Sequence, residues 1–417
     1  MKHFSRLTNI ISFSLLFTFA FIAVSCASTK SKSTQEISEE LSELYEKEQE
    51  PVITEQELAS DSDTITLLFA GDIMAHSVNY AISDYPKIWR DVKYIIEPCD
   101  LAFANIEAPV DNTQKWQNYP NFNMPQSYVE AAVDAGFDVF SLCNNHTNDQ
   151  GLNGIKETIK SAERLVQRSK ERNESIYFSG LKDGKSASYT YNIIEKNGWK
   201  ILFLPVTEIL NRPSYADYIN YVENSEKARK EFLKYVKNLR QQNDCDLMVL
   251  SIHAYEVEYT RNVTDSQNQY YMDLLEAGVD IVWANHAHII KDRKYVFNNT
   301  TQSQKVIMYA NGNTISGQRT APDFNSKNPV GERDNTGDGL MVKLTFKKQE
   351  GLTPHIISSE NFFITTYINT ANEYVVKPLN QDFVDYLWEI PRTEWARYIQ
   401  RRIEINNKYT KDYILWQ

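Results

Sequence analysis

The chain is short of cysteine, of histidine and of positive charge, and each shortage excludes something. Four cysteines occur in 417 residues. With Cys26 in an N-terminal targeting segment, Cys99, Cys143 and Cys245 remain, an odd number that supports no disulfide framework. Cys143 falls within an apolar run and reads as a core residue. Lys and Arg number 44 against 55 Asp and Glu, a net charge of −11. That balance argues against a general electrostatic attraction to nucleic acid. Some of the acidity is local, between Glu36 and Glu50. Internal repeats are absent. Tyrosine, by contrast, is plentiful at 25 residues; half-exposed strands and helix faces account for such tyrosines, and contacts to a polymer are the alternative.

The N-terminus has the form of a targeting segment. Lys2, His3 and Arg6 precede an almost wholly apolar stretch from Leu7 to Val24, followed by Ser25 and Cys26. Small residues before a cysteine resemble a bacterial lipobox, which makes residues 1–25 a lipoprotein signal peptide and Cys26 the lipidation site. An ordinary signal peptide or an uncleaved anchor helix are the alternatives. Residues 26–63 are rich in Ser, Thr, Lys and Glu and read as a disordered tether. The chain is thus expected to be exported and anchored at the bacterial cell envelope.

From residue 64 onward, apolar strand-like runs alternate with helical stretches, the pattern of an α/β layered domain. Its expected extent is 64–318. The segment from Gln318 to Gly339 is rich in Gly, Asn, Asp and Pro and reads as a surface loop, with a cover over a site as the other reading. Strands at GLMVKLTF and FFITTYIN and a terminal helix over Phe383 to Tyr409 then complete or flank the domain, within 319–417.

The seven histidines are spent unevenly. Five fall in four segments that each end an apolar run: LLFAGDIMAHS (Asp72, His76), VFSLCNNHTNDQG (Asn144, Asn145, His146), LMVLSIHAYE (His253) and DIVWANHAHII (His286, His288). A fifth run, DLAFANIEAP, delivers Asn105 and Glu107 in the same way. Sites on α/β sheets are assembled from strand ends, where loops gather polar side chains above a rigid core. Asp72 ends a hydrophobic strand, where a carboxylate must be solvated, hydrogen-bonded or metal-bound. A turn or helix cap is the plainer reading of Gly71-Asp72. His76 is either a cleft residue or a surface histidine. Asn105 and Glu107, two apart, share a face in extended structure. Strand alternation is likewise expected to put His286 and His288 on one face, a chelating arrangement. Asn145 offers an amide oxygen and His146 a proton donor. Together these O and N donors exceed one tetrahedral zinc and suit two ions.

These segments, in this order, resemble the calcineurin-like metallophosphoesterase superfamily, and within it the bacterial capsule-synthesis CapA proteins tied to poly-γ-glutamate. The motifs are GDIMAH, ANIE, NNHTNDQG, HAYEVEY, LLEAGVD, ANHAH and YANGN. The resemblance implies a four-layer α/β/β/α sandwich with a C-terminal strand-and-helix extension. It also implies metal ligands at Asp72, Glu107, Asn145, His253, His286 and His288, with His146 as the proton donor. Two departures stand out: Met74 occupies a position where other members carry a histidine, and Glu107 one where they carry a bridging aspartate.

The function that the resemblance implies is a role in capsule or poly-γ-glutamate-type polymer biosynthesis or export, with two divalent ions (Mn, Fe or Zn) serving metal-dependent hydrolysis. Its expected partners are an anionic capsule or polyglutamate-like polymer, envelope synthase or export proteins, and the membrane through the N-terminal lipid. The alternative is a non-catalytic polymer-binding or assembly component of an envelope synthase.

Overall fold

The computed structural model describes residues 63–416, apart from 186–187, 300–302 and 350–351. The signal segment, most of the tether and Cys26 lie outside the described residues.

In chain order the first strands are β1 (Thr64–Ile73), β2 (Leu101–Ile106), β3 (Val139–Ser141) and β4 (Tyr177–Ser179). Next come β5 (Asn192–Lys196), β6 (Trp199–Thr207), β7 (Leu247–His253), β8 (Ile281–Asn285), β9 (Arg293–Phe297) and β10 (Gln304–Met308). The last are β11 (Asn313–Ile315), β12 (Asp338–Gln349), β13 (Leu352–Ile368), β14 (Tyr374–Pro378) and β15 (Asp412–Trp416). One sheet has the order β14-β13-β12-β1-β2-β3-β4, with β11 also pairing with β1. The other runs β15-β9-β10-β8-β7-β6-β5.

The side-chain pattern explains why the sheets stack. In β1, Ile65, Leu67 and Phe69 point one way and Leu68 and Ala70 the other, and both sets are buried. In β7, Leu247 and Val249 face one side while Met248, Leu250 and Ile252 face the other. Strands apolar on both faces must be covered on both faces. The shared core between the sheets joins Leu67, Phe69 and Phe103 to Phe203, Val249 and Trp283. Outside the first sheet lie helices α1 (Ser77–Tyr80), α2 (Pro86–Trp89), α3 (Lys93–Ile96), α4 (Gln126–Asp134) and α5 (Gly151–Glu171). Outside the second lie α6 (Glu226–Gln242) and α7 (Asp265–Glu276). The result is the expected four-layer α/β/β/α sandwich. Among the described residues no helix is long and apolar enough to cross a membrane.

A repeated device sets strand register at the ends remote from the site. Asp100, Asp138, Asp246 and Asp280 each immediately precede, or nearly precede, a parallel strand. Their carboxylates accept backbone N–H bonds from Thr66 (2.7 Å), Ala102 (2.9 Å), Lys200 (2.7 Å) and Met248 (2.8 Å) on the neighbouring strand. Each Asp also donates its own N–H to the carbonyl of that same residue. The pair of bonds fixes the first rung of the ladder.

After Gly317 the chain returns to the first sheet, because β12 runs antiparallel to β1 and β13 to β12. A short helix α8 (Glu332–Asn335) interrupts the preceding loop. The helical stretch expected over Phe383 to Tyr409 is two helices, α9 (Gln381–Glu389) and α10 (Thr393–Tyr409). Pro391 lies between them, where it cannot continue the first helix. β9, β11, β14 and β15 are additional to the strands that the sequence pattern predicts.

Candidate metal centre

The parallel strands β1 to β4 of the first sheet and β6, β7, β8 and β10 of the second point their C-terminal ends to one rim, and the site residues are collected there. β1 ends in Gly71-Asp72-Ile73. A Cβ at Gly71 would stand 1.9 Å from the Gly312 carbonyl oxygen, so only glycine lets β11 close on β1. The Asp72 N–H donates to that carbonyl at 3.1 Å. Asn105, at the end of β2, donates from Nδ2 to Asp72 Oδ1 at 2.8 Å. This orients the carboxylate and makes Asn105 a positioning group.

Glu107 is the centre of the arrangement. It belongs to two buried groups of metal-ligand type, one with His253 and His286 and the other with Asp72 and His288. In each group the ligand atoms lie within 4.8 Å of one another. The Glu107 side chain is fully buried, and among the described residues neither of its oxygens accepts a hydrogen bond. Its Oε1 stands 3.6 Å from His253 Nε2 and 3.7 Å from His288 Nε2. Burial first, then the charge of Asp72, hold this carboxyl well above the usual carboxylate range. A carboxylate left in this way is expensive unless a cation or a proton joins it.

Donor spacing also fits an ion. His253 Nε2 is 2.9 Å from Asn145 Oδ1 and 3.1 Å from His286 Nδ1. Donors about 2.1 Å from an ion stand roughly 3.0–3.4 Å apart. Burial, then the neighbouring imidazoles, push His253 well below the ordinary imidazole value, and the same causes lower His286 to about 3. Both rings are therefore neutral and able to ligate. Burial also acts on His288, but the hydrogen bond and charge of Asp72 outweigh it and raise that ring's pKa. The amide of Asn313 donates to Ser316 Oγ, Gln318 Oε1 and the Thr336 carbonyl. Its Oδ1 is thereby turned toward His288 Nδ1 at 3.0 Å. That partner keeps the proton on Nδ1 and leaves Nε2 facing Glu107.

The backbone around the two histidines differs from expectation. β8 ends at Asn285, and His286 and His288 come after it at φ 105° and 57°. They meet the centre from a left-handed turn and not by strand alternation, and each joins a different group. Such φ values cost on the order of 1–3 kcal/mol per residue and persist where the surroundings enforce them.

The remaining candidates divide. His146 donates from Nδ1 to Asp149 Oδ2 at 2.7 Å, and Asn211 Nδ2 approaches the same nitrogen at 3.2 Å. Asn144 is a tie, with Nδ2 donating to the Ile106 carbonyl at 2.7 Å and Oδ1 accepting the His146 N–H. His76 caps α1 and accepts the Gly317 N–H at Nδ1, 3.1 Å. It stands outside both ligand groups; burial, then His288, lower it to about 3.

Above the donors opens a cavity of about 680 Å³, lined among others by Met74, His146, His288, Tyr259, Arg212 and Arg333. Gln318, Thr320 and Arg333 bring the post-318 segment onto this cavity, so the surface-loop expectation is corrected: the segment forms one wall. Sequence reasoning missed Arg212, Asn211, Arg333 and Asn313. The strand-end rule, applied to the exit of β6, would have flagged Asn211 and Arg212. Arg333 carried no local signal.

Comparison with known proteins bears on this geometry. Residues 66–318 match the family described as bacterial capsule synthesis protein PGA_cap. The chain is 27% identical over 273 residues to the capsule biosynthesis protein CapA of Bacillus anthracis, covering 62% of this chain and 61% of that protein. It is 24% identical over 264 residues to the PGA biosynthesis protein CapA of Bacillus subtilis, covering 61% and 64%. The aligned part thus spans less than two thirds of either relative. Among solved structures, a hypothetical protein from Thermus thermophilus aligns at a TM-score of 0.40 and 15% identity, over 72% of this chain and 98% of that one. The calcineurin-like phosphoesterase YfkN from Bacillus subtilis aligns at 0.38 and 10%, over 81% and 99%. With the family match extending over residues 66–318, which include every donor at the rim of the two sheets, this chain belongs to the bacterial capsule synthesis protein family.

Proposed function

We propose that this protein is an exported, lipid-anchored, metal-dependent hydrolase or transferase of capsule-polymer biosynthesis, working on an anionic polymer of the poly-γ-glutamate type or on a phosphoester precursor. The observation that carries the reading is the pair of buried donor groups sharing Glu107 beneath a cleft that also holds His146. The N-terminal segment ending in Cys26 supports export and anchoring.

Asp72, Glu107, Asn145, His253, His286 and His288 would hold two divalent ions, which supply Lewis-acid polarisation of a phosphoryl or carbonyl oxygen and activation of a water. The protein's own groups do the rest. Asp149 accepts from His146 Nδ1 and so fixes the imidazole, which leaves Nε2, approached by Asn211 Nδ2 at 3.5 Å, to deliver a proton. That proton goes to the departing oxygen or nitrogen as water adds to phosphorus or carbon and the ester or amide bond breaks. Arg212 and Arg333 line the same cavity and give acidic groups of the substrate a place to bind by charge-assisted hydrogen bonds.

The test is elemental analysis of the purified full-length protein, wild type beside a His286→Ala/His288→Ala double variant, followed by assay on phosphoesters and γ-glutamyl peptides. Bound Mn, Fe or Zn lost in the double variant, with turnover lost in His146→Ala, supports the reading. Metal without turnover but with retention of the polymer would favour a binding component of an envelope synthase. No metal after reconstitution would end the proposal.

A further inference from the structure

Resting on that reading of the centre, we infer that the two metal positions are unequal: one ion is held tightly by Glu107, Asn145, His253 and His286, and the other weakly and exchangeably by Asp72, Glu107 and His288.

The donors of the two positions differ in number and in arrangement. At the first position two imidazole nitrogens, an amide oxygen and a carboxylate already converge, with separations of 2.9, 3.1 and 3.6 Å about His253 Nε2. Little rearrangement separates this arrangement from a filled coordination sphere, so little ordering entropy remains to be lost on binding. At the second position the described residues offer three donors of ligand type. One is already engaged: Asp72 Oδ1 accepts from Asn105, and its Oδ2 faces the His286 N–H at 3.4 Å. Met74, two residues beyond Asp72 and buried, lines the cavity together with His288. A thioether is a soft ligand and a poor one for Mn²⁺ or Zn²⁺ among carboxylates. Glu107 is shared, so the first ion takes part of the negative charge that would attract the second. The second ion then meets a like charge a few ångströms away.

Mn²⁺ titrated into metal-stripped full-length protein, monitored by calorimetry and electron paramagnetic resonance, tests this. Two classes of site are expected, with Kd values at least about tenfold apart. At one equivalent the spectrum should be that of an isolated ion, with spin-coupled features growing only at the second equivalent. His288→Ala should remove the weaker class and keep the tighter one, and His286→Ala should do the reverse. Met74→His, which adds a fourth donor, should tighten the weaker class about tenfold or more. Met74→Leu, similar in volume, should leave both classes as in the wild type and guards against misfolding in the histidine variant. Two ions of equal affinity, coupled from the first addition, would overturn this inference alone. Loss of the tighter class in His288→Ala would do so as well. Absence of any binding would overturn it together with the metal-centre reading.

Discussion

At the scale of single residues, the polar contact beside the donors that bears on proton transfer is that between His146 Nδ1 and Asp149 Oδ2, 2.7 Å, both groups buried. Asp149 Oδ2 also accepts the Phe122 N–H at 2.9 Å, so the carboxylate cannot swing away from the ring. If His146 is the proton donor, His146→Ala should lower kcat by about 10²–10⁴-fold, the usual worth of a positioned acid. Asp149→Asn should lower it comparably, because an amide can present N–H to Nδ1 and favour the wrong tautomer. Neither change touches a donor, so metal content should stay at the wild-type level; a parallel loss of metal would mean that the dyad only holds the loop. Much of this site was legible in the sequence because Asp72, Glu107 and His253 end strands or come directly after them and Asn145 lies four residues past β3, and strand exits are visible as the end of an apolar run. What sequence could not show was the turn after Asn285, where left-handed backbone and not alternation aims His286 and His288. Nor could it show Arg333, which reaches the cleft from a segment separated from β8 by β9, β10 and β11.

At the scale of elements, the four aspartates at the strand starts make a prediction that separates register from chemistry. Asp138 is partly buried, and desolvation raises its carboxyl to about 7, although the Ala102 N–H and Lys196 pull the other way. Its folded pKa thus lies above the ordinary value of 3.8. The proton is bound more strongly in the folded state, so the contribution to stability is complete below about pH 4 and is lost as pH rises through 7. Asp138→Asn keeps an oxygen for Ala102 and removes the ionisation. Relative to wild type it should gain roughly 1–2 kcal/mol between pH 4 and pH 8, read from urea denaturation at each pH. A flat difference would mean that the carboxylate is solvated. The second device is the buried knot behind the cleft wall. Arg319 donates to Asp338 Oδ1 (2.8 Å), while Arg402 and Asn406 both donate to Oδ2 (2.7 Å). Burial raises the Asp338 pKa, but Arg402 and Arg319 outweigh it and leave it below the ordinary value. Asp338→Asn strands two buried guanidinium groups and should cost about 3–5 kcal/mol, measured by the same denaturation. It should also loosen the segment that presents Gln318 and Arg333. A Cβ at Gly337 would stand 2.0 Å from the Arg319 Cζ, so the knot leaves no room there for a larger residue. None of this was legible in the sequence, since the partners are 19 to 68 positions apart and no periodicity links them. The alternation of strands and helices, being local, was legible, and so the layers were.

At the scale of the molecule, the donors divide between the sheets: Asp72, Glu107 and Asn145 come from the first, and His253, His286 and His288 from the second. An ion held by donors of both sets would therefore cross-link two sheets that otherwise meet through an apolar core and polar contacts such as Trp283 Nε1 to the Ala70 carbonyl, 2.8 Å. Without a cation, the Glu107 carboxyl and its neighbours keep a desolvation cost that the apolar core must offset. With ions bound, folding is favoured by RT ln(1 + [L]/Kd), about 4 kcal/mol when free metal is a thousandfold above Kd. Removing metal with a chelator should then lower the melting temperature by several degrees, on the order of 5–10 °C for a domain of this size. Glu107→Gln should melt near the chelated wild type and fail to respond to chelator, because it loses the shared ligand and, with it, the buried charge. The location of the effect is as informative as its size. Hydrogen exchange should quicken on chelation at the C-terminal ends of β1, β2, β7 and β8 together, and not at the opposite ends held by Asp100, Asp138, Asp246 and Asp280. Faster exchange confined to one sheet would mean that the ions bind to one sheet's donors only, and that the two-sided centre does not form.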